Sequence, residues 1–242
     1  MELQKYLDDT NSVLICDLDG ENVKYSHNIN KAFKSASVIK IFVLAYYLHS
    51  GESLEREIEL PKKALIGTSI MTELKITKAT VRELLIYMIG FSDNSATNAL
   101  FSDVGFDKLN GFCKDVLKTE NTVFGRKMLD FAAAERGEDN FVSLADCLKG
   151  MRYILSYETG KDIMKRHKGV ERIIRYVYDP TLEYYGKSGS IPEVYNDIAV
   201  LKRPQGKYVF AGVLSYKGEM SKLKRLMGGA GLVALDADRP VI

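Results

Sequence analysis

The chain has 242 residues, 46% of them hydrophobic and 27% charged, which is enough for one large domain or two closely packed lobes around a substantial core. Its 34 basic and 32 acidic side chains leave a net charge of +2, and no basic run interleaves with aromatics, which argues against a nucleic-acid binder. No apolar run reaches the length of a membrane span, so no membrane partner is expected.

The start, Met1-Glu2-Leu3-Gln4-Lys5, has no apolar core of a signal peptide, so the expectation is a cytosolic protein unless a leader has been removed. Cys16, Cys113 and Cys147 are far apart and odd in number, which suggests free thiols and no disulfide framework. His27, His49 and His167 are equally scattered. Neither a metal site nor a cofactor is expected.

In chain order, residues 1–9 read as a short helix and Ser12–Leu18 as a strand. Asp19-Gly20 signals a hairpin, with Asn22–Ser26 as its return strand. From Val38 to Leu48 the only charge is Lys40, so this segment predicts a helix buried all round, with Ser35 as its N-cap. Residues 61–76 have no clear period and read as a surface connection. Thr80-Val81-Arg82-Glu83 has capping-box form and opens a helix with the stripe Leu84, Leu85, Met88 and Ile89. Phe91-Ser92-Asp93-Asn94 breaks it, and Asn94–Phe101 resumes it. Phe106, Leu109, Phe112, Cys113, Val116 and Leu117 recur at helical spacing.

Residues 119–142 are polar and weakly periodic, a loop long enough to expect function of it. Leu144–Leu155 predicts a helix, and Lys161–Tyr176 another. Tyr184–Ile191, Val194–Leu201 and Tyr208–Tyr216 read as three strands, and Ser221–Leu235 as a closing helix with a bend expected at Gly228-Gly229. Strands thus lie at both ends and helices fill the middle. The expected fold class is α/β (α+β): one antiparallel sheet from both chain ends, flanked by the terminal helices, with an inserted all-helical lobe. Residues 1–34 and 177–242 form the sheet lobe in this reading, and 35–176 the helical lobe.

Three short motifs carry chemistry. Ser37 and Lys40 place a hydroxyl beside an amine at the start of a buried helix, as a Ser–Lys nucleophile requires. Burial favours the neutral amine, which makes it a credible base. The pattern alone is common, and a second copy occurs at Ser221–Lys224. Ser92-Asp93-Asn94 lies where side chains can point into a cleft, although a plain helix cap fits it too. Lys187-Ser188-Gly189-Ser190 lies in a strand, where Gly189 permits close approach of a backbone or ligand; a simple bulge fits as well.

Taken together and in this order, the three motifs resemble the signature of class A β-lactamases and penicillin-binding proteins, and the strand–helical lobe–strand order is similar over almost the whole chain. The resemblance implies a serine acyl-enzyme hydrolase acting on a small-molecule β-lactam or peptide-like amide. Ser37 would be the nucleophile, Lys40 its proton partner, and Ser92 the relay to the leaving nitrogen beside Lys187. Asn94 would hold the substrate's amide, and Lys187 and Ser188 its carboxylate. Gly189 would complete the substrate-binding strand, and the amides of Ser37 and Ser190 would form the oxyanion hole.

One position departs from the pattern. Two residues after the loop arginine, Arg126, where the deacylating glutamate belongs, stands Met128. Asp130, Glu135 and Glu138 read as an exposed loop face. The expectation is therefore impaired deacylation. Two alternatives are a cytosolic Ser-x-x-Lys amidase, glutaminase or esterase, and a penicillin-binding module that does not turn over.

Overall fold

The computed structural model describes residues 2–60 and 65–237. The N-terminal strands β1 (Asn11–Asp17) and β2 (Val23–His27) form the expected hairpin. The expected helix over residues 1–9 shrinks to one 3₁₀ turn, Gln4–Tyr6. Asp8 explains this: its carboxylate accepts from the amide and hydroxyl of Thr10 and from Asn11 Nδ2, a local turn that competes with helix.

After the short β3 (Phe33–Lys34) come a 3₁₀ turn at Ala36–Ile39 and α1 (Lys40–Ser50), which closes on Gly51 in the left-handed region. Ile41, Phe42, Val43 and Leu44 are fully buried, on all sides of α1. Burying such a side chain is worth about 1.5–3 kcal/mol, so α1 is the centre of the core. Within 61–76 the chain forms α2 (Ile70–Glu73), capped by Ser69, while residues 61–64 lie outside the described residues. A two-stranded pair, β4 (Glu57–Glu59) with β5 (Lys78–Thr80), brackets this stretch.

The capping box of α3 (Val81–Gly90) is present: Glu83 N donates to Thr80 Oγ1 at 3.1 Å, and Thr80 N to Glu83 Oε2 at 2.7 Å. α4 (Asn94–Val104) and α5 (Phe106–Asp115) follow. The long polar stretch contains α6 (Phe131–Glu135) and β6 (Phe141–Val142), which pairs with β3. α7 (Leu144–Leu155) and α8 (Glu158–Met164) complete the helices packed around α1. All three cysteines are free and buried, as expected.

The C-terminal meander is β7 (Glu183–Ile191), β8 (Val194–Lys202) and β9 (Val209–Ser215), followed by α9 (Met220–Ala234). β9 pairs antiparallel with β1, from Asn11 opposite Ser215 to Asp17 opposite Val209, which gives a five-stranded sheet in the order β2-β1-β9-β8-β7. Alternation along β1 sorts two cores. Leu14 and Cys16 face the helices around α1, whereas Val13 and Ile15 face Leu226, Met227 and Ala230 of α9.

Two helix expectations need correction. The helix predicted over Lys161–Tyr176 is only α8, which ends at Met164; the chain beyond is irregular. It is held instead by the sheet and α9: Ile173 N donates to Asp197 Oδ2 at 3.0 Å, and Ile173 and Val177 enter the second core. The glycines of α9 are not a break, because the helix runs through them. They admit this segment, since a Cβ on Gly231 would lie 1.9 Å from Ile173 O.

Candidate active site

The site is built where α1 begins, where α3 gives way to α4, and along the edge strand β7. Lys40 is fully buried, and its Nζ donates to Ser92 O at 2.7 Å, Asn94 Oδ1 at 2.9 Å and Ser92 Oγ at 3.2 Å. Lys187, also fully buried, donates to Ser92 Oγ at 3.1 Å and Ser188 O at 2.8 Å. The Ser92 hydroxyl therefore lies between two amines contributed by opposite ends of the chain.

Ser92 occupies the left-handed region, φ +56°, an uncommon place for a residue with a side chain. The next residue holds it there. Asp93 N is bound to Tyr87 O, and the Asp93 carboxylate caps α4 through Ala96 N at 2.9 Å while accepting from Ser69 Oγ at 2.6 and 2.8 Å. The middle residue of the motif is thus a structural anchor that joins α2 to α4 and fixes its neighbours.

Two amines this close and this deep compete for charge. Burial, then the charge of Lys187, holds Lys40 well below the usual lysine value, with Asp93 pulling the other way. Burial brings Lys187 down to about 7, opposed by Asp197 and helped by Arg172. Asp197 is fully buried opposite Ser188 on β8, and desolvation pushes its carboxyl up to about 6.

Ser37 is half-buried in the 3₁₀ turn that precedes α1. Ser35 does not cap that turn, contrary to expectation. Its backbone is already helical, its hydroxyl donates to Ala36 O at 3.1 Å, and its amide donates to Asn140 O at 2.9 Å. The turn is instead pinned from β8, where Asn196 Nδ2 donates to Lys34 O at 2.8 Å and Ser35 O at 3.2 Å. Gly189 lets β7 lie directly against it, because a Cβ there would stand 2.6 Å from Ser37 N. Among the described residues no hydrogen bond joins Ser37 Oγ to Lys40 Nζ, whose donors go to Ser92 and Asn94.

The long loop is closed at its neck. Arg126 Nε and Asp139 Oδ1 form a buried ion pair at 2.8 Å, and Asn140 Oδ1 accepts from Gly125 N and Arg126 N. Beyond the neck, Asn98 of α4 clasps the backbone of Met128, accepting from its amide at 2.7 Å and donating to its carbonyl at 3.2 Å. Met128 is only 6% exposed. Asp130 caps α6 through Ala133 N, Glu135 is exposed, and Glu138 pairs with Arg136 on the surface.

A family model described as the Beta-lactamase enzyme family matches residues 2–237. The chain belongs to that family. Its fold is that of class A β-lactamases. An ancestral class A β-lactamase superposes with a TM-score of 0.84 at 22% identity, over 97% of this chain and 96% of the other. The β-lactamase of Sphaerobacter thermophilus DSM 20745 gives 0.79 at 24%, over 93% and 90%. The acyl-enzyme complex of the PBP-A L158E mutant with penicillin G gives 0.78 at 19%, over 94% and 89%. No curated protein sequence matches.

Within this beta-lactamase-family fold, the structure brings Lys40, Ser92, Asn94 and Lys187 into one hydrogen-bonded group, with the Ser37 turn against β7 at Gly189. The second Ser-x-x-Lys copy is elsewhere: Ser221 is exposed and donates to Glu219. Sequence reading missed Arg172, because it was placed in a helix that does not exist. Its guanidinium donates to Gly189 O at 2.9 Å, Asn196 O at 2.5 Å and Ser190 Oγ at 2.6 Å, and stacks on Tyr195. Asn98 was missed as well. An asparagine one turn beyond Asn94 carries no motif of its own, and only the loop's position reveals its role.

Proposed function

We propose that this protein forms an acyl-enzyme at Ser37 with β-lactams or related amides and releases it slowly. The observation that carries this reading is the Ser92 hydroxyl held between Lys40 and Lys187, at 3.2 and 3.1 Å, next to the Ser37 turn. Burial disfavours the charged form of Lys40, and in its neutral form the amine has a lone pair to receive the Ser37 proton as Oγ attacks the carbonyl carbon. The amides of Ser37 and Ser190 meet the developing oxyanion. As the carbon–nitrogen bond breaks, Ser92 gives its hydroxyl proton to the leaving nitrogen and takes one from Lys40. Lys187, when cationic, lowers the cost of charge on the Ser92 oxygen.

Lys187, Ser188 and Arg172 form the cationic, donor-rich corner that suits a substrate carboxylate. With its oxygen engaged by Lys40, Asn94 has its amide nitrogen left to donate to a substrate carbonyl in this reading. Hydrolysis of the ester then needs a base for water. Met128 cannot accept a proton, and the nearby carboxylates are engaged elsewhere or exposed. The penicillin G acyl-enzyme of a PBP-A mutant supports the view that this fold accommodates such an adduct.

Labelling with a fluorescent penicillin tests the assignment. Label should appear on the native protein, disappear in Ser37→Ala and persist in Ser221→Ala. Equal labelling of native protein and Ser37→Ala would end this reading.

A further inference from the structure

Outside the catalytic group, Phe33, Phe141 and Tyr216 wall a hollow of about 340 Å³ whose lining also includes Lys31, Lys34 and Lys217. Each ammonium lies over an aromatic face: Lys31 is 5.6 Å from the Phe33 ring, and Lys34 and Lys217 are 5.7 and 5.2 Å from that of Tyr216. Such contacts hold the charges at the wall without neutralising them. Asp9 is the one acid among the lining residues. Lys34 shares Asp139 at 3.2 Å, Lys217 stands 3.9 Å from Glu193, and Lys31 donates to a backbone carbonyl, Asp9 O. Three ammonium groups and one carboxylate thus line the hollow, and Lys31 is the one of the three lysines with no carboxylate partner among the described residues.

Size and chemistry together define what fits. The volume lies at the lower end for small-molecule sites, large enough for one fused-ring or short-chain body. Aromatic walls do not replace the hydration of a bare inorganic anion, and three lysines add nothing for a neutral hydrocarbon. We propose that this hollow binds an apolar organic anion, with its hydrophobic body against Phe33, Phe141 and Tyr216 and its carboxylate or sulfonate among the lysines. The site is separate from the catalytic cleft but continuous with its support. Phe33 and Lys34 lead directly into the Ser37 turn, and Lys34 shares Asp139 with Arg126 at the neck of the loop.

The test uses 8-anilinonaphthalene-1-sulfonate, an aromatic sulfonate that brightens on burial, titrated into the full chain at low salt. One saturable site per chain is expected. The exposed pair Lys31→Gln/Lys217→Gln should weaken it about tenfold, as two screened surface charges would. Ala32→Trp, which fills the hollow without touching a charge, should abolish it, with unchanged melting temperature showing that the fold survives. No saturable binding to the native chain, or an affinity unchanged in both variants, would overturn the proposal.

Discussion

Replacing Met128 by glutamate should convert a slow acyl-enzyme into one that turns over. The backbone of Met128 is fixed by two hydrogen bonds to Asn98, at 2.7 and 3.2 Å, which anchors residue 128 beside the helix that carries Asn94. General-base assistance is worth roughly 10²–10⁴-fold, and deacylation should accelerate within that range. Acylation should change little, because Ser37, Lys40 and Ser92 are untouched. The substitution carries a cost: Met128 is 6% exposed, so lost packing and a buried carboxylate should remove about 2–5 kcal/mol of stability. The assay is to acylate with a penicillin, remove the excess, and follow decay of the adduct in both proteins, with a melting curve to show that the variant is folded. A native adduct that decays as fast as that of folded Met128→Glu would refute the reasoning, as would rapid native turnover that collapses in Asp130→Asn.

Three further outcomes are expected. Asn98→Ala leaves two buried backbone groups of Met128 without partners, at about 1–3 kcal/mol each. Its melting temperature should fall by roughly 5–20 °C in a scanning experiment. Lys187 is lowered from 10.5 to about 7, so it is cationic below that pH and neutral above it. Acylation by a carboxylate-bearing β-lactam should therefore decline as pH rises through about 7, and stopped-flow rates in Lys187→Arg, whose charge does not titrate, should lack that decline. Arg172→Ala should lower the second-order acylation constant about ten- to a hundredfold, as loss of a charge-assisted contact would. Arg172→Lys should recover part of it, a rescue that a merely structural role would not give.

The fold was legible wherever local pattern and burial agreed. The apolar run of α1, the Thr80–Glu83 capping box and the five main strands all appear where their residues place them. Expectations failed where a side chain or a distant segment overrides propensity. Asp8 and Asn11 cut the N-terminal helix short. The chain after Met164 gives up helix to bond Asp197 and to pack on Gly231. The candidate site was legible through its three motifs, because each brings its own spacing. Arg172 and Asn98 were hidden because their partners, Ser190 and Met128, are brought to them only by the fold.

The central claim is that Ser37 is acylated readily and released slowly. Intact-protein mass spectrometry of the native chain, quenched from seconds to hours after mixing with a slight excess of penicillin, tests it most directly. The account predicts one added penicillin mass per chain within the early points, mapped to the peptide that contains Ser37 and still present after free penicillin is removed. Consumption of the penicillin with no adduct accumulating, or an adduct on any other residue, would contradict it.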